Sequence, residues 1–114
     1  MGWRVETLNA VVEAEIGALP DDIRARLVHI GRLIAEFGLL RVREPYVKHP
    51  GVKHLGGKLW EMRASGRSGI ARAIYVAAVG QRVVILHAFV KKSQKTPPRA
   101  LHLAIKRAKE AGLI

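Results

Sequence analysis

Apolar and polar positions change period several times along the chain. Trp3–Leu8 alternates as a first strand would, and Asn9–Leu19 follows with Val12, Ile16 and Leu19 at i, i+4 and i+7. The break at Leu19-Pro20-Asp21-Asp22 opens the clearest helix. Ile23, Leu27, Ile30 and Ile34 keep one apolar stripe, Asp21 and Asp22 sit at its positive end, and Gly38 stops it. Residues 39–57 are punctuated by Pro45, Pro50, Gly51, Gly56 and Gly57, a loop with room for a short strand around Val52–Leu55. Period two then dominates. Lys58–Ala64 alternates, Ser65–Gly69 turns, Ile70–Val79 and Arg82–Val90 follow, and Gly80-Gln81 links them. Three strands with short links predict an antiparallel meander. Thr96 reads as the N-cap and Pro97 as the first helical residue of a last helix, Pro97–Ala111, with Leu101, Ala104, Ile105 and Ala108 as its apolar stripe. The order β-α-α-β-β-β-α predicts an α+β fold, a small antiparallel sheet with two N-terminal helices and one C-terminal helix packed on it.

At 114 residues this is read as one domain, 1–114. There is no apolar run near the ~20 residues of a membrane span, and the start lacks a signal-peptide pattern. The chain has no Cys, which rules out disulfides and thiolate chemistry. A cytoplasmic protein is expected.

Charge changes the picture. The net charge is +11, but residues 1–40 hold four basic and six acidic side chains, and residues 41–114 hold sixteen basic and three acidic. So skewed a chain points to a polyanion: nucleic acid first, an acidic protein second, a membrane surface third. The cations gather in two places. Lys48, His49, Lys53 and His54 rim the 39–57 loop. Lys91, Lys92 and Lys95 follow the buried strand Val83–Val90 within five positions, where a rigid scaffold ends in a charged loop. His49 and His54 have no Cys and few carboxylates near them, so phosphate or solvent suits them better than a metal. No cofactor is expected.

Two charges sit inside strands. Arg72 lies mid-strand in GIARAIYVAA and needs either a partner or a concave polar site. One reading pairs it with Glu61 on the adjacent strand; the other presents it to phosphate from the sheet face. Arg63 poses the same question, and Arg63, Arg72 and the 91–95 loop are expected to line one concavity. His87, alone among apolar neighbours, is a satisfied core histidine or, if it opens on that concavity, a proton carrier.

LWEMR at 59–63, ARAIY at 71–75 and HAFVKKSQKTP at 87–97 together resemble the RelE/ParE toxin superfamily, in particular its phage-derived HigB-like branch of type II toxin–antitoxin modules. The likeness covers roughly Pro45–Arg107, and the helix pair upstream fits the family's order. The resemblance implies a ribosome-dependent mRNA endonuclease, an mRNA interferase that inhibits translation. Its partners would be mRNA on the ribosome, ribosomal RNA, and a co-encoded antitoxin, a small helix-turn-helix protein. It implies that Arg72 is the phosphate-facing strand arginine, that Lys92 is the basic residue just past the last strand, and that Lys58 and Arg63 lie on a strand supplying further cations. The catalytic set is then Arg72, Lys91, Lys92 and Lys95, one lysine being the candidate base and His54 or His87 the candidate acid. Lys48, Lys53, His54, Lys58, Arg63 and Arg99 would contact RNA. The sequence departs from the family where a Tyr stacks on the substrate base: Pro98 stands near that place, and no Phe, Tyr or Trp follows Phe89. The role falls to His54 or Tyr46 or goes unfilled. Two other readings stand beside the nuclease: a non-catalytic phage-derived RNA-binding remnant, and a ParE-like gyrase inhibitor docking through its αα hairpin.

Overall fold

Helix α2 (Asp21–Phe37) follows directly from its stripe: Ile23, Leu27, Ile30 and Ile34 are its buried residues. A computed structural model describes residues 2–39, 42, 52–56, 58–92 and 95–114, with backbone alone at 52–54 and 56. The shorter α1 (Ala10–Gly17) is capped by Asn9, whose side chain accepts from the Val12 N–H at 3.1 Å. Arg24 joins the pair. Its guanidinium donates to the carbonyls of Gly17 (3.0 Å) and Leu19 (3.3 Å), which α1 leaves unsatisfied. Gly38 ends α2 at φ 86°, and a Cβ there would stand 3.1 Å from Trp3 Nε1, so both conformation and space call for glycine. No helix among the described residues is long and apolar enough to cross a membrane.

The sheet has five strands in the order β1-β5-β4-β3-β2: β1 (Arg4–Thr7), β2 (Val52–Gly56), β3 (Leu59–Gly66), β4 (Gly69–Ala78) and β5 (Arg82–Val90). The three-strand meander is as expected, and the short strand in the 39–57 loop is present as β2. One edge differs from the expected antiparallel sheet: β1 pairs with β5 in parallel, Val5 opposite Val83 and Glu6 opposite Val84. Three antiparallel links, β2 to β3, β3 to β4 and β4 to β5, leave β5 running as β3 does, and β1 shares that sense.

The sheet's two faces hold two cores. Trp60, Met62, Ala73, Tyr75 and Val83 meet α1 and α2 on one side. Leu59, Ile74, Val76, Val84 and Leu86 meet α3 (Pro98–Glu110) on the other. The residues α3 buries are Ala100, Ala104 and Ala108, so its stripe is turned from the expected one; Leu101 and Ile105 flank the contact half-buried. The alanines let the helix lie close on the sheet.

Thr96 does not cap α3. The N-cap is Pro97, Pro98 takes the first helical position, and no side chain caps the helix. With two prolines in sequence either can open a helix, and the Thr96 hydroxyl is drawn elsewhere, as described below.

A β-bulge interrupts β5. Ile74 pairs with His87 and Tyr75 with Ile85, which leaves Leu86 unmatched just past the point where β1 has ended. Side chains complete that edge. Arg107 donates to the Leu86 carbonyl at 2.8 Å, and the Glu15 carboxylate accepts from the Ala88 N–H at 3.1 Å and from Arg107 at 3.0 Å. Burial works to raise the Glu15 pKa, but the bonds from Arg107, His87 and the Ala88 N–H outweigh it and hold the carboxyl below its usual range.

The β3–β4 turn is tied to the start of α2. Asp22 Oδ2 accepts from the Ser68 N–H at 3.0 Å, and a Cβ on Gly66 would stand 2.5 Å from that oxygen. The Ser68 N–H first, and its hydroxyl second, hold the Asp22 pKa below the ordinary value. A carboxyl depressed in the folded state adds stability above its unfolded pKa of about 3.9, and loses it as pH falls through the lower folded value. Thermal melts from pH 5 to pH 2 should show Asp22→Ala less stable than the parent at pH 5, with the gap closing as Asp22 protonates. A gap constant across that range would mean that the carboxylate's charge contributes nothing.

Candidate nucleic-acid interface

The strand register sets charged side chains in rows. Arg63 on β3 stands opposite Arg72 on β4, and Arg72 stands opposite Phe89 on β5. One row along, Glu61 lies opposite Ile74 and Ile74 opposite His87. Two guanidiniums directly opposite each other repel, and Glu61, two positions from Arg63 on the same strand face, is the counter-charge available.

Arg72 and Glu61 are both out of solvent, with 2% and 0% of their side chains exposed. Arg72 Nη1 lies 3.5 Å from Glu61 Oε2 and donates to Thr96 Oγ1 at 2.9 Å, and the Thr96 hydroxyl donates in turn to Glu61 Oε2 at 2.5 Å. The three groups form a closed triangle. It fastens the segment before α3 onto the sheet, so the hydroxyl that the sequence offered as a helix cap is the link between a buried acid and a buried base. Of the two readings of Arg72, this geometry is that of the Glu61 pair.

Further cations lie at the same end of the sheet. Lys91 is half-buried, its N–H bonded to the Ile70 carbonyl at 2.7 Å, so the loop leaves β5 beside the start of β4. Lys92, Lys95 and Arg99 are exposed, and Arg63 is half-buried at the end of β3. Arg67, in the β3–β4 turn, is exposed at the same end and was not among the residues the sequence pointed to. The turn's place beside the β5 exit is a product of the register, which charge spacing does not reveal. Against these six cations, residues 59–99 offer one carboxylate, Glu61.

Lys58 departs from the group. It precedes Leu59, whose partner is Val76 at the far end of β4, about 16 Å along the strand from Arg63 at ~3.3 Å per residue. The register sets Lys53 opposite Glu61 and His54 opposite Trp60, but their side chains, together with all of Lys48, His49 and Tyr46, lie outside the described residues. His87 lies in the row of Ile74, on the α3 side of the sheet; its Nδ1 lies 2.9 Å from Glu15 Oε1 of α1, and its ring stacks on Phe89 at 5.0 Å. It is held as a core histidine is.

A family model described as "Phage derived protein Gp49-like" matches residues 14–109. The chain belongs to this Gp49-like family. Its fold is that of a solved structure of the E. coli toxin RelE, a mutant with two arginines changed to alanine, in the free state. The two are 16% identical, with a TM-score of 0.63 over 94% of this chain and 98% of that one. No curated protein matches the sequence. The expected phage-derived family thus holds, and the expected likeness to RelE holds at the level of the fold. In this Gp49-like chain the start of α3 presents Pro98, Arg99 and His102, and His102 is exposed. The described aromatic ring nearest Arg72 in register is Phe89, half-buried and stacked on His87.

Proposed function

We propose that the chain is the toxin of a type II toxin–antitoxin module and acts as a metal-independent endoribonuclease on mRNA held by the ribosome. The observation that carries this reading is the gathering of Arg63, Arg67, Lys91, Lys92, Lys95 and Arg99 at one end of a RelE-like sheet. In such a reaction the 2′-oxygen attacks the adjacent phosphorus, the 5′-oxygen leaves, and a 2′,3′-cyclic phosphate remains. The 2′-hydroxyl proton goes to a base and the leaving oxygen takes one from an acid. Negative charge builds on the phosphorane, and fixed cations lower its energy. Lys91, Lys92, Lys95 and Arg63 are assigned to the phosphate. Arg72 is assigned to the loop, which it positions through Thr96. Ribosomal RNA takes the remaining basic surface, and a helix-turn-helix antitoxin encoded beside the gene neutralises the toxin.

Primer extension on mRNA, with and without ribosomes, tests this. Cleavage is expected on the ribosome and little on free RNA, because the ribosome supplies the substrate alignment that these six cations alone do not. Chelator should change neither. Induced expression should arrest growth, and co-expressed antitoxin should restore it. Equal cleavage with and without ribosomes would overturn the ribosome-dependent mechanism.

A second reading is favoured by the burial of Arg72 with Glu61, which takes the strongest fixed cation out of contact with substrate: a protein that binds RNA and leaves it intact. Salt-sensitive binding to ribosomes, with a slope of about −0.7 to −0.9 per phosphate, together with no cleavage in the same assay, would select it.

A further inference from the structure

The triangle that fastens the segment before α3 contains a hydroxyl whose bonding capacity is not used up. A threonine hydroxyl donates one proton and accepts through two lone pairs. At Thr96 the proton goes to Glu61 Oε2 at 2.5 Å, and one lone pair accepts from Arg72 Nη1 at 2.9 Å. The second lone pair has no partner among the described residues. Glu61 and Arg72 are sealed from solvent, whereas Thr96 is half-buried. Its hydroxyl is the member of the triangle that a ligand can reach.

Behind that hydroxyl lies the one acid of residues 59–99, Glu61. Its side chain has no exposure, and its Oε1 accepts no hydrogen bond among the described residues. A carboxylate so enclosed meets a substrate only through a neighbour that can pass a proton in. In front, Lys91, Lys92, Lys95 and Arg99 all lie within five positions of Thr96 in sequence. A phosphodiester drawn to that charge brings its ribose hydroxyl towards Thr96.

The other groups at this end of the sheet are poor acceptors. An ammonium has no lone pair until it has lost a proton, and a guanidinium keeps its charge in proteins. The imidazole of this range, His87, has its Nδ1 on Glu15.

We infer that Thr96 and Glu61 form the proton relay that takes the 2′-hydroxyl proton of the RNA, which rests on the nuclease reading and supplies the base it needs. The 2′-hydroxyl proton passes to Thr96 Oγ1 as the Thr96 proton passes to Glu61 Oε2. The 2′-oxygen bonds to phosphorus, the bond from phosphorus to the 5′-oxygen breaks, and that oxygen takes a proton from an ammonium of the 91–95 loop. Thr96 ends with the proton count it began with, and Glu61 ends neutral. The negative charge that leaves Glu61 appears on the phosphorane, and Arg72 is bonded to the Thr96 oxygen through which the proton passed. After product leaves, the same hydroxyl returns the Glu61 proton to water and the loop amine takes one up. Thr96 touches the reacting atoms; Glu61 acts through it.

The test is single-turnover cleavage of ribosome-bound mRNA by the whole protein in mixtures of H2O and D2O. Two protons moving in one step should make the parent's rate fall with deuterium fraction along a curve bowed below the straight line. Thr96→Ser keeps the hydroxyl and should keep the bow. Thr96→Val keeps the shape and loses the hydroxyl. It should slow cleavage by about a hundredfold or more, as loss of a general base does, and replace the bow by a straight line. If that variant fails to fold, Glu61→Gln takes its place: the carboxamide has nearly the same shape, cannot take up the proton, and should also remove the bow. A slower Thr96→Val whose bow persists would make Thr96 a clamp for the loop and overturn the relay. Cleavage by the parent along a straight line would overturn the relay and leave the nuclease reading standing. No cleavage by the parent on ribosomes would overturn both.

Discussion

Arg72→Ala should cost the protein about 3–5 kcal/mol, the range for breaking a buried ion pair by removing one partner. Glu61 would stay behind with no exposure, its Oε2 still bonded to Thr96 and its Oε1 making no hydrogen bond among the described residues. A domain of this size has ~5–15 kcal/mol in all, so the loss lowers the melting temperature by about 10–25 °C. Glu61→Gln in the same chain removes the stranded charge and should restore a large part of the loss; alone, Glu61→Gln should destabilise less than Arg72→Ala. Thermal melts of the two single variants and the double variant give the coupling directly. A melting temperature unchanged by Arg72→Ala, with cleavage abolished, would return Arg72 to the phosphate and refute its assignment to the loop.

The opposite profile is expected for Lys92→Ala/Lys95→Ala. Both side chains are exposed, so stability should move by no more than about 0.5 kcal/mol. Cleavage of ribosome-bound mRNA should fall by about 10²–10³, the loss of fixed positive charge from a developing phosphorane. Lys58→Ala is the control. Sequence likeness grouped Lys58 with Arg63, but the register puts it at the far end of β3, and its removal should leave the single-turnover rate within about twofold. A Lys58→Ala defect as large as that of the double variant would mean that the RNA lies elsewhere on the sheet.

These contrasts show where the amino-acid order was readable. The α2 stripe and the β3–β5 meander are local: each follows from period and from turn residues a few positions apart, and each stands as read. The partner of β1 is not local. Alternation over Trp3–Leu8 marks a strand but carries nothing about which strand it joins or in which sense. Arg72 was legible as a problem, because a guanidinium in an apolar run must be answered, and Glu61 was the one acid on the neighbouring strands. The third member was hidden. Thr96 before a proline looks like a cap, and only the packing of α3 shows that its hydroxyl serves a carboxylate 35 residues earlier. Glu15 and Arg107 gave no signal either: they meet across 92 residues to finish a strand edge that exists because β1 is short and β5 bulges.

The pairing of β1 with β5 also bears on how the chain comes to be folded. Glu6 and Arg82 are 76 residues apart in sequence, and the second face of the sheet closes when Ala100, Ala104 and Ala108 arrive. Closing so long a loop is repaid late. Translation delivers about 5–20 residues per second. For several seconds, then, the αα hairpin and β1 wait with their apolar sides uncovered, and the fold is reached close to the moment of release. A chain cut short before α3 keeps all five strands but leaves the face of Leu59, Ile74, Val76, Val84 and Leu86 uncovered.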